Sequence, residues 1–247
     1  MENQLQNQFQ EQVLDKQGSS AHALSQSFIS RVLSYMAGAL VISSILAYVF
    51  GTTPALLQYI VNLETGGMTG LGWVALLAPL GMVFFMGARF QKMSAQTMML
   101  VFILFSALMG ISLSTIFLIY PIGTIYTTFG VTAITFVIMA TVGYTTKTDL
   151  TKFGSILMMG LIGIIVAMVV NMFMQSAMMD YIISIIGVLI FTGLIAYDMQ
   201  KLKRIGMGVE YGTQAESKLA LMGALSLYLD FINLFLFMLR IFGGNRS

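Results

Sequence analysis

Two aspartates lie within strongly apolar segments near the end of the chain, and they are the residues best placed to do chemistry. Asp198 falls at the end of segment 181–200, and Asp230 lies midway along segment 219–243. An ionised carboxylate in hydrocarbon costs roughly 3 kcal/mol on insertion scales, so each must be paired, protonated or beside a wet path. Because the two segments are consecutive, a helical hairpin can bring the carboxylates together. The sequence therefore predicts a functional pair.

Paired carboxylates in a narrow interior predict a pH sensor on an ion path. Repulsion and desolvation both favour a shared proton, and the pair then titrates as a unit. Losing that proton leaves two anions, which spread the helices or attract a cation. Calcium takes six to eight oxygen ligands, so Asp198 and Asp230 alone predict only a weak calcium contact. Weak contact is what conduction requires.

Each aspartate also has a simpler interpretation. Asp198 lies three residues before Lys201, so a local ion pair at the cytoplasmic interface is its simpler interpretation. Asp230 has no basic residue within two turns, but a hydrogen bond to Asn or Ser on a neighbouring helix would satisfy it. Both alternatives stay open at the level of sequence.

The composition indicates an all-α membrane protein. Hydrophobic residues make up 57% of the 247 residues and charged residues 9%, with a mean hydropathy of +0.87. A soluble domain usually carries about 25% charged residues. The absence of cysteine excludes disulfides and thiolate zinc sites, and a net charge of +2 gives no reason to expect nucleic acid. We expect no cofactor.

Seven segments are long enough to cross a bilayer as helices, which needs about 20 apolar residues each. They cover residues 32–50, 71–88, 97–119, 123–144, 154–174, 181–199 and 219–241. Residues 55–62 are apolar but too short to span, and Pro54 suits the start of a short surface helix there.

The basic residues alternate with these spans. Ten of the twelve fall in the N-terminal region and in every second loop, and only Arg240 and Arg246 lie on the other side. The positive-inside rule then places the N-terminus in the cytoplasm. The predicted organisation is a polar cytoplasmic tail (1–31), a seven-span domain (32–243) and an external C-terminal tail (244–247).

The last span carries a stripe of small and polar residues. Gly223, Ser226, Asp230 and Asn233 follow 3-4-3 spacing and share one helix face. The stripe predicts that Asp230 points into the bundle. The opposite face, which is predicted to contact lipid, carries Leu225, Leu229, Ile232 and Leu236.

The residues around the two aspartates resemble the closing motifs of the Bax inhibitor-1 family, also called transmembrane Bax inhibitor motif proteins. The two stretches read IAYDMQ at 195–200 and ALSLYLDFINLF at 224–235. The resemblance, to the bacterial inner-membrane branch, implies seven helices with the last one central. It implies a pH-sensitive calcium leak whose di-aspartyl sensor corresponds to Asp198 and Asp230. It also implies a latch between Asp198 and a basic residue ending the second span, best matched by Arg89 and next by Lys92.

Two other functions compete with a leak. Paired aspartates on adjacent spans resemble presenilin-type proteases, but that class carries Gly-x-Gly-Asp where this chain has Leu227-Tyr-Leu-Asp230. We therefore expect no enzyme activity. The alternative that stays open is a non-conducting regulator that binds and modulates a membrane-anchored AAA protease, with the polar N-terminal tail as the contact.

Overall fold

The chain folds almost entirely into helices. The computed structural model describes residues 2–62 and 64–244, with side chains described from residue 23 onward. This part of the chain holds no β-strand, only one antiparallel bridge between Val61 and Met68. Its helices are α1 (Glu2–Thr52), α2 (Pro54–Leu57), α3 (Gly70–Arg89), α4 (Ala95–Leu113), α5 (Ile116–Ile119), α6 (Ile122–Thr145), α7 (Thr151–Met174), α8 (Ala177–Gly208) and α9 (Gln214–Gly243).

Seven spans are confirmed, with α4 and α5 together forming the third. Helix α2 begins at Pro54, as predicted. The first span, Ala23–Thr52, starts earlier than predicted, so residues 23–31 of the predicted tail are helical. The rest of that tail and residues 245–247 lie outside the described side chains.

Hydroxyl side chains mark where four of the long helices begin. Thr69, Ser94, Ser176 and Thr213 each accept a hydrogen bond from the backbone N–H three residues later. Such a cap satisfies one of the backbone donors that a helix start leaves unpaired. The sequence thus fixes these starts locally.

Helix α9 is the central helix of the bundle. In its apolar stretch 67% of the residues are buried, against 17–44% in the other spans. It packs against α1, α4, α6 and α8. The prediction of a lipid face on α9 is therefore wrong: Leu225 and Ile232 are 2% and 4% exposed, because neighbouring helices cover that side.

Contacts between helix ends show that the spans alternate in direction. The beginning of the first span, Ala23–Thr52, meets the start of α9 in the ion pair Arg31–Glu216, and Lys218 lies over the ring of Phe90 at the end of α3. We call this the basic end. At the opposite end, the start of α8 meets the end of α9.

Small residues let α1 and α4 approach closely. A Cβ on Gly110 would collide with the backbone of Ser43, so only glycine fits there. The Ser43 hydroxyl donates to the carbonyl of Ser106 at 2.7 Å and also lies 2.7 Å from the hydroxyl of Tyr228 on α9. Small residues on α4 thus allow the close crossing of the two helices.

Candidate functional site: a cavity with two carboxylates

A cavity of about 700 Å³ runs along one side of α9, and both aspartates line it. Its walls come from α3, α4, α7, α8 and α9. It extends from Lys201, toward the basic end, to Met168 and Phe237, toward the opposite end. We call it the dyad cavity. Most of its wall is apolar, so the few polar side chains decide what it can hold.

Asp198 is held in place by the central helix. It lies on α8, is 9% exposed, and accepts a short hydrogen bond from the hydroxyl of Ser226 on α9. Tyr197, beside it, also lines the cavity. The polar stripe predicted on the last span therefore contacts the sixth-span aspartate directly, through Ser226 rather than through Asp230.

Asp230 is the more isolated carboxylate. It is 7% exposed, and its buried Oδ2 has no hydrogen-bond partner in the described part of the chain. It lies one helical turn beyond Ser226 on the same face of α9, a rise of about 6 Å. Because Ser226 binds Asp198, the two carboxylates are staggered by roughly that rise. The structure thus brings both predicted residues to one cavity, without a direct hydrogen bond between them.

The basic side chains near the two carboxylates are not arranged as the sequence predicts. Lys201 lines the cavity and acts electrostatically on both carboxylates. Among residues 23–62 and 64–244, no ion pair joins Asp198 to Lys201. The local ion pair considered for Asp198 is therefore not formed in this conformation. Arg89, the predicted latch, ends α3 as an exposed side chain without a described ion-pair partner.

The cavity is also lined by the hydroxyl of Ser112 and the amide of Asn233. Asn233 follows Asp230 by three residues, and its Nδ2 donates to the carbonyl of Leu229 at 2.8 Å. That bond leaves its Oδ1 available as an acceptor in the cavity. The walls from α3, α4 and α7 contribute no ionisable side chain, so the described ionisable groups that line the cavity are Tyr197, Asp198, Lys201 and Asp230.

A smaller polar cavity adjoins the dyad cavity at the opposite end. It measures about 170 Å³ and contains the ion pair between Asp180 and Arg240, 3.4 Å apart. Met168 lines both cavities. Met168 and the Asp180–Arg240 ion pair therefore lie between the two carboxylates and the opposite membrane surface.

Two ionisable groups between the spans, Asp149 and Tyr120, have shifted pKa values. Hydrogen bonds from the Thr151 hydroxyl and N–H, followed by the charge of Arg204, hold the pKa of Asp149 below its ordinary value. Burial raises the pKa of Tyr120 above its ordinary value. Neither group changes charge near pH 7, so neither supplies a proton switch there.

Sequence reasoning missed one buried acid. Glu216 is 0% exposed, Arg31 lies 2.6 Å from its Oε2, and its Oε1 lacks a described partner. The guanidinium of Arg31 also lies 4.7 Å from the ring centre of Tyr211. The available signal was Thr213-x-x-Glu216, a capping-box pattern that marks a helix start. The sequence did not show that α1 covers it.

Comparisons with known proteins agree with the geometry. The family model described as "Inhibitor of apoptosis-promoting Bax1" matches residues 25–247. A protein of Borreliella burgdorferi is 42% identical over 91% of this chain and 94% of its own length. The Escherichia coli K12 inner membrane protein YbhL is 40% identical over 90% of this chain and 93% of its own. A protein of Caulobacter vibrioides is 41% identical over 94% of each chain. This seven-helix membrane protein therefore belongs to the Bax inhibitor family.

Proposed function

We propose that the protein is a pH-responsive calcium leak whose sensor and ion contact are Asp198 and Asp230. The observation that supports this most is the unpartnered Oδ2 of Asp230, buried in a cavity that also contains Asp198. A buried polar atom without a partner is rare and calls for a proton or an ion beside it. Carboxylate and amide oxygens are the ligands that calcium prefers. Asp230 and Asn233 present both kinds, one turn apart.

The proton and the cation compete for the same site in this mechanism. At acidic pH a proton neutralises part of the charge of the pair, and the apolar walls close around it. At higher pH two anions remain about one turn apart, and their repulsion in low dielectric favours either separation or a bound cation. Few ligands and one lysine nearby keep that binding weak, so the ion can leave.

Helix α3 is the wall best able to move. Its extensive helix contacts are with α4, whereas α9 packs on four helices. Pro79 interrupts its hydrogen-bond ladder in the middle of the span and lines the dyad cavity. Movement of α3 would widen the cavity and reposition Arg89. The proposed latch of Arg89 with Asp198 belongs to such a rearranged state.

We place the protein in the cell inner membrane, the location that the name of its Escherichia coli relative, inner membrane protein YbhL, gives for that relative. The proposed topology has the basic end in the cytoplasm, where ten basic residues fall. We propose no enzyme activity and no cofactor. Regulation of a membrane-anchored AAA protease remains the alternative function.

Calcium release from liposomes that contain the purified protein tests the proposal. We expect efflux that is low at pH 5 to 6 and higher at pH 7 to 8, since deprotonation of the pair admits the ion. Liposomes without protein give the background. Absence of efflux at every pH would contradict the leak and favour the regulator, for which co-purification with a membrane protease is then the measurement.

A further inference from the structure

A second, apolar cavity lies on the far side of α9 from the carboxylates. It measures about 320 Å³ and is bounded by α1, α4, α5, α6 and α9. Ile232 and Phe235 form its α9 wall, whereas Asp230 and Asn233 face the dyad cavity. Ile232 lies about 200° around the helix from Asp230. We call it the α1–α6 cavity.

The cavity lies along the seam between α1 and α6, and this seam faces lipid. Helix α1 packs on α4, α8 and α9, and α6 packs on α8 and α9, so the two helices flank α9 without extensive contact between them. Val41 and Ile45 continue the α1 side of the seam as exposed side chains, each 57% exposed. In a membrane, those side chains contact acyl chains.

The wall suits an apolar occupant better than water. Most of its side chains are apolar, and the two serines offer little to a water: the hydroxyl of Ser43 is already bonded to Ser106 and paired with Tyr228, which leaves Ser44 alone. An ordered water needs two to four polar partners. If the cavity were empty, the side chains that line it would lack dispersion contacts on that side.

The mouth of the cavity carries two tyrosines. Tyr48 lies one turn before the end of α1, and Tyr126 lies one turn after the start of α6. Both are about half exposed. Tyrosine concentrates at the level of lipid headgroups because its ring is apolar and its hydroxyl is polar. A lipid whose chain enters between them would keep its ester region at this level.

We propose that the α1–α6 cavity binds one acyl chain of a phospholipid from the leaflet at the opposite end of the bundle. The chain enters sideways between α1 and α6, lies against Ile232 and Phe235, and leaves its headgroup near Tyr48 and Tyr126. It supports α9 from the side facing away from the two aspartates. This site is independent of whether calcium is conducted.

Tryptophan fluorescence in vesicles tests the site. The chain has one tryptophan, so Trp73→Phe gives a silent background. Phe129→Trp then places a probe in the cavity wall, and Phe117→Trp is a second probe should the first fail to fold. Phe28→Trp is the buried control, 1% exposed and toward the basic end, and Phe173→Trp is the lipid-facing control, 79% exposed.

Vesicles of phosphatidylcholine brominated along one acyl chain serve as the quencher. We expect quenching of the Phe129 probe to be at least half that of the Phe173 probe, with little at Phe28. Adding Ala47→Phe, which fills the cavity, should reduce the Phe129 signal to the Phe28 level. Ile45→Phe, on the adjacent lipid face, should leave it unchanged.

Two outcomes would overturn the proposal. One is quenching of the Phe129 and Phe117 probes no greater than that of the Phe28 probe. The other is strong quenching that Ala47→Phe leaves unchanged, since the lipid would then contact the probe without entering the cavity. Circular dichroism and size exclusion establish that each variant is folded before its quenching is interpreted.

Discussion

The two aspartates share a cavity but have different surroundings. Ser226 satisfies Asp198, whereas Asp230 keeps a buried oxygen without a described partner. A buried acceptor without a hydrogen bond costs about 1–3 kcal/mol, and more for a charged group. That cost makes Asp230 the residue with more to gain from a cation. Asp198 is the better candidate for exchanging a proton, because it lies nearer the basic end.

Asp230→Asn should lower calcium efflux at neutral and alkaline pH. The substitution removes a negative charge and one carboxylate ligand while keeping the volume of the side chain. We expect a loss of about tenfold, equivalent to about 1.4 kcal/mol of the ion's interaction. Efflux from liposomes at pH 7.5, normalised to reconstituted protein, is the measurement.

Asp149→Asn is the matched control for that change. It removes the same charge from an exposed loop position, where the carboxylate lies 3.1 Å from Arg204. Its efflux should equal that of the unsubstituted protein. Equal losses in both variants would show that the effect comes from overall charge and not from the cavity.

Glu216 shows that a buried acid can also serve the fold alone. Arg31→Met would leave this carboxylate buried without its ion pair, and we expect the free energy of unfolding to fall by about 3 kcal/mol. Arg204→Met breaks the exposed pair with Asp149 and should cost much less, because solvent screens that pair. Denaturant titration in detergent micelles compares the two.

The double variant Arg31→Met with Glu216→Met separates charge burial from packing. Because both partners are then apolar, it should recover much of the loss. A double variant as unstable as Arg31→Met alone would instead assign the loss to packing against Tyr211.

Helix α3 combines few helix contacts with an internal proline, and these features make it the proposed moving wall. A cross-link between α3 and α7 should therefore hold the cavity closed. Val83 and Met158 line the dyad cavity from these two helices, each about 9–11 Å from the basic end of its helix. The chain has no cysteine, so Val83→Cys with Met158→Cys gives the only thiols.

Joining these cysteines with a short bifunctional thiosulfonate should suppress efflux, and reducing the link should restore it. Each single-cysteine variant treated with the same reagent is the control. Unchanged efflux in the linked double variant would show that α3 does not move during conduction.

Much of the architecture was predictable because each span is long, apolar and separated by proline or polar turns. The two aspartates were predictable for the same reason, since a charge in an apolar run stands out. The register between α8 and α9 was not predictable from the sequence. Either Ser226 or Asp230 could have faced Asp198, and the sequence pattern does not decide between them. The burial of Leu225 was missed because an apolar helix face looks the same whether it meets lipid or protein.

We predict the orientation of the whole bundle from its charge asymmetry. Tags at the N-terminus and within loop residues 209–213 should both be cytoplasmic, and a tag after Ser247 should be external. Protease or thiol-reagent accessibility in intact cells measures this. The N-terminus and Ser247 on the same side would contradict a seven-span topology.

The pH dependence of calcium efflux in Asp198→Asn tests the central claim most directly. Asparagine keeps the volume of the side chain but cannot exchange a proton, so the pair no longer titrates as a unit. The unsubstituted protein and Asp149→Asn should both show efflux that rises between pH 5 and 8, and Asp198→Asn should show a flat profile. A profile for Asp198→Asn that rises as in the unsubstituted protein would contradict the di-aspartyl sensor.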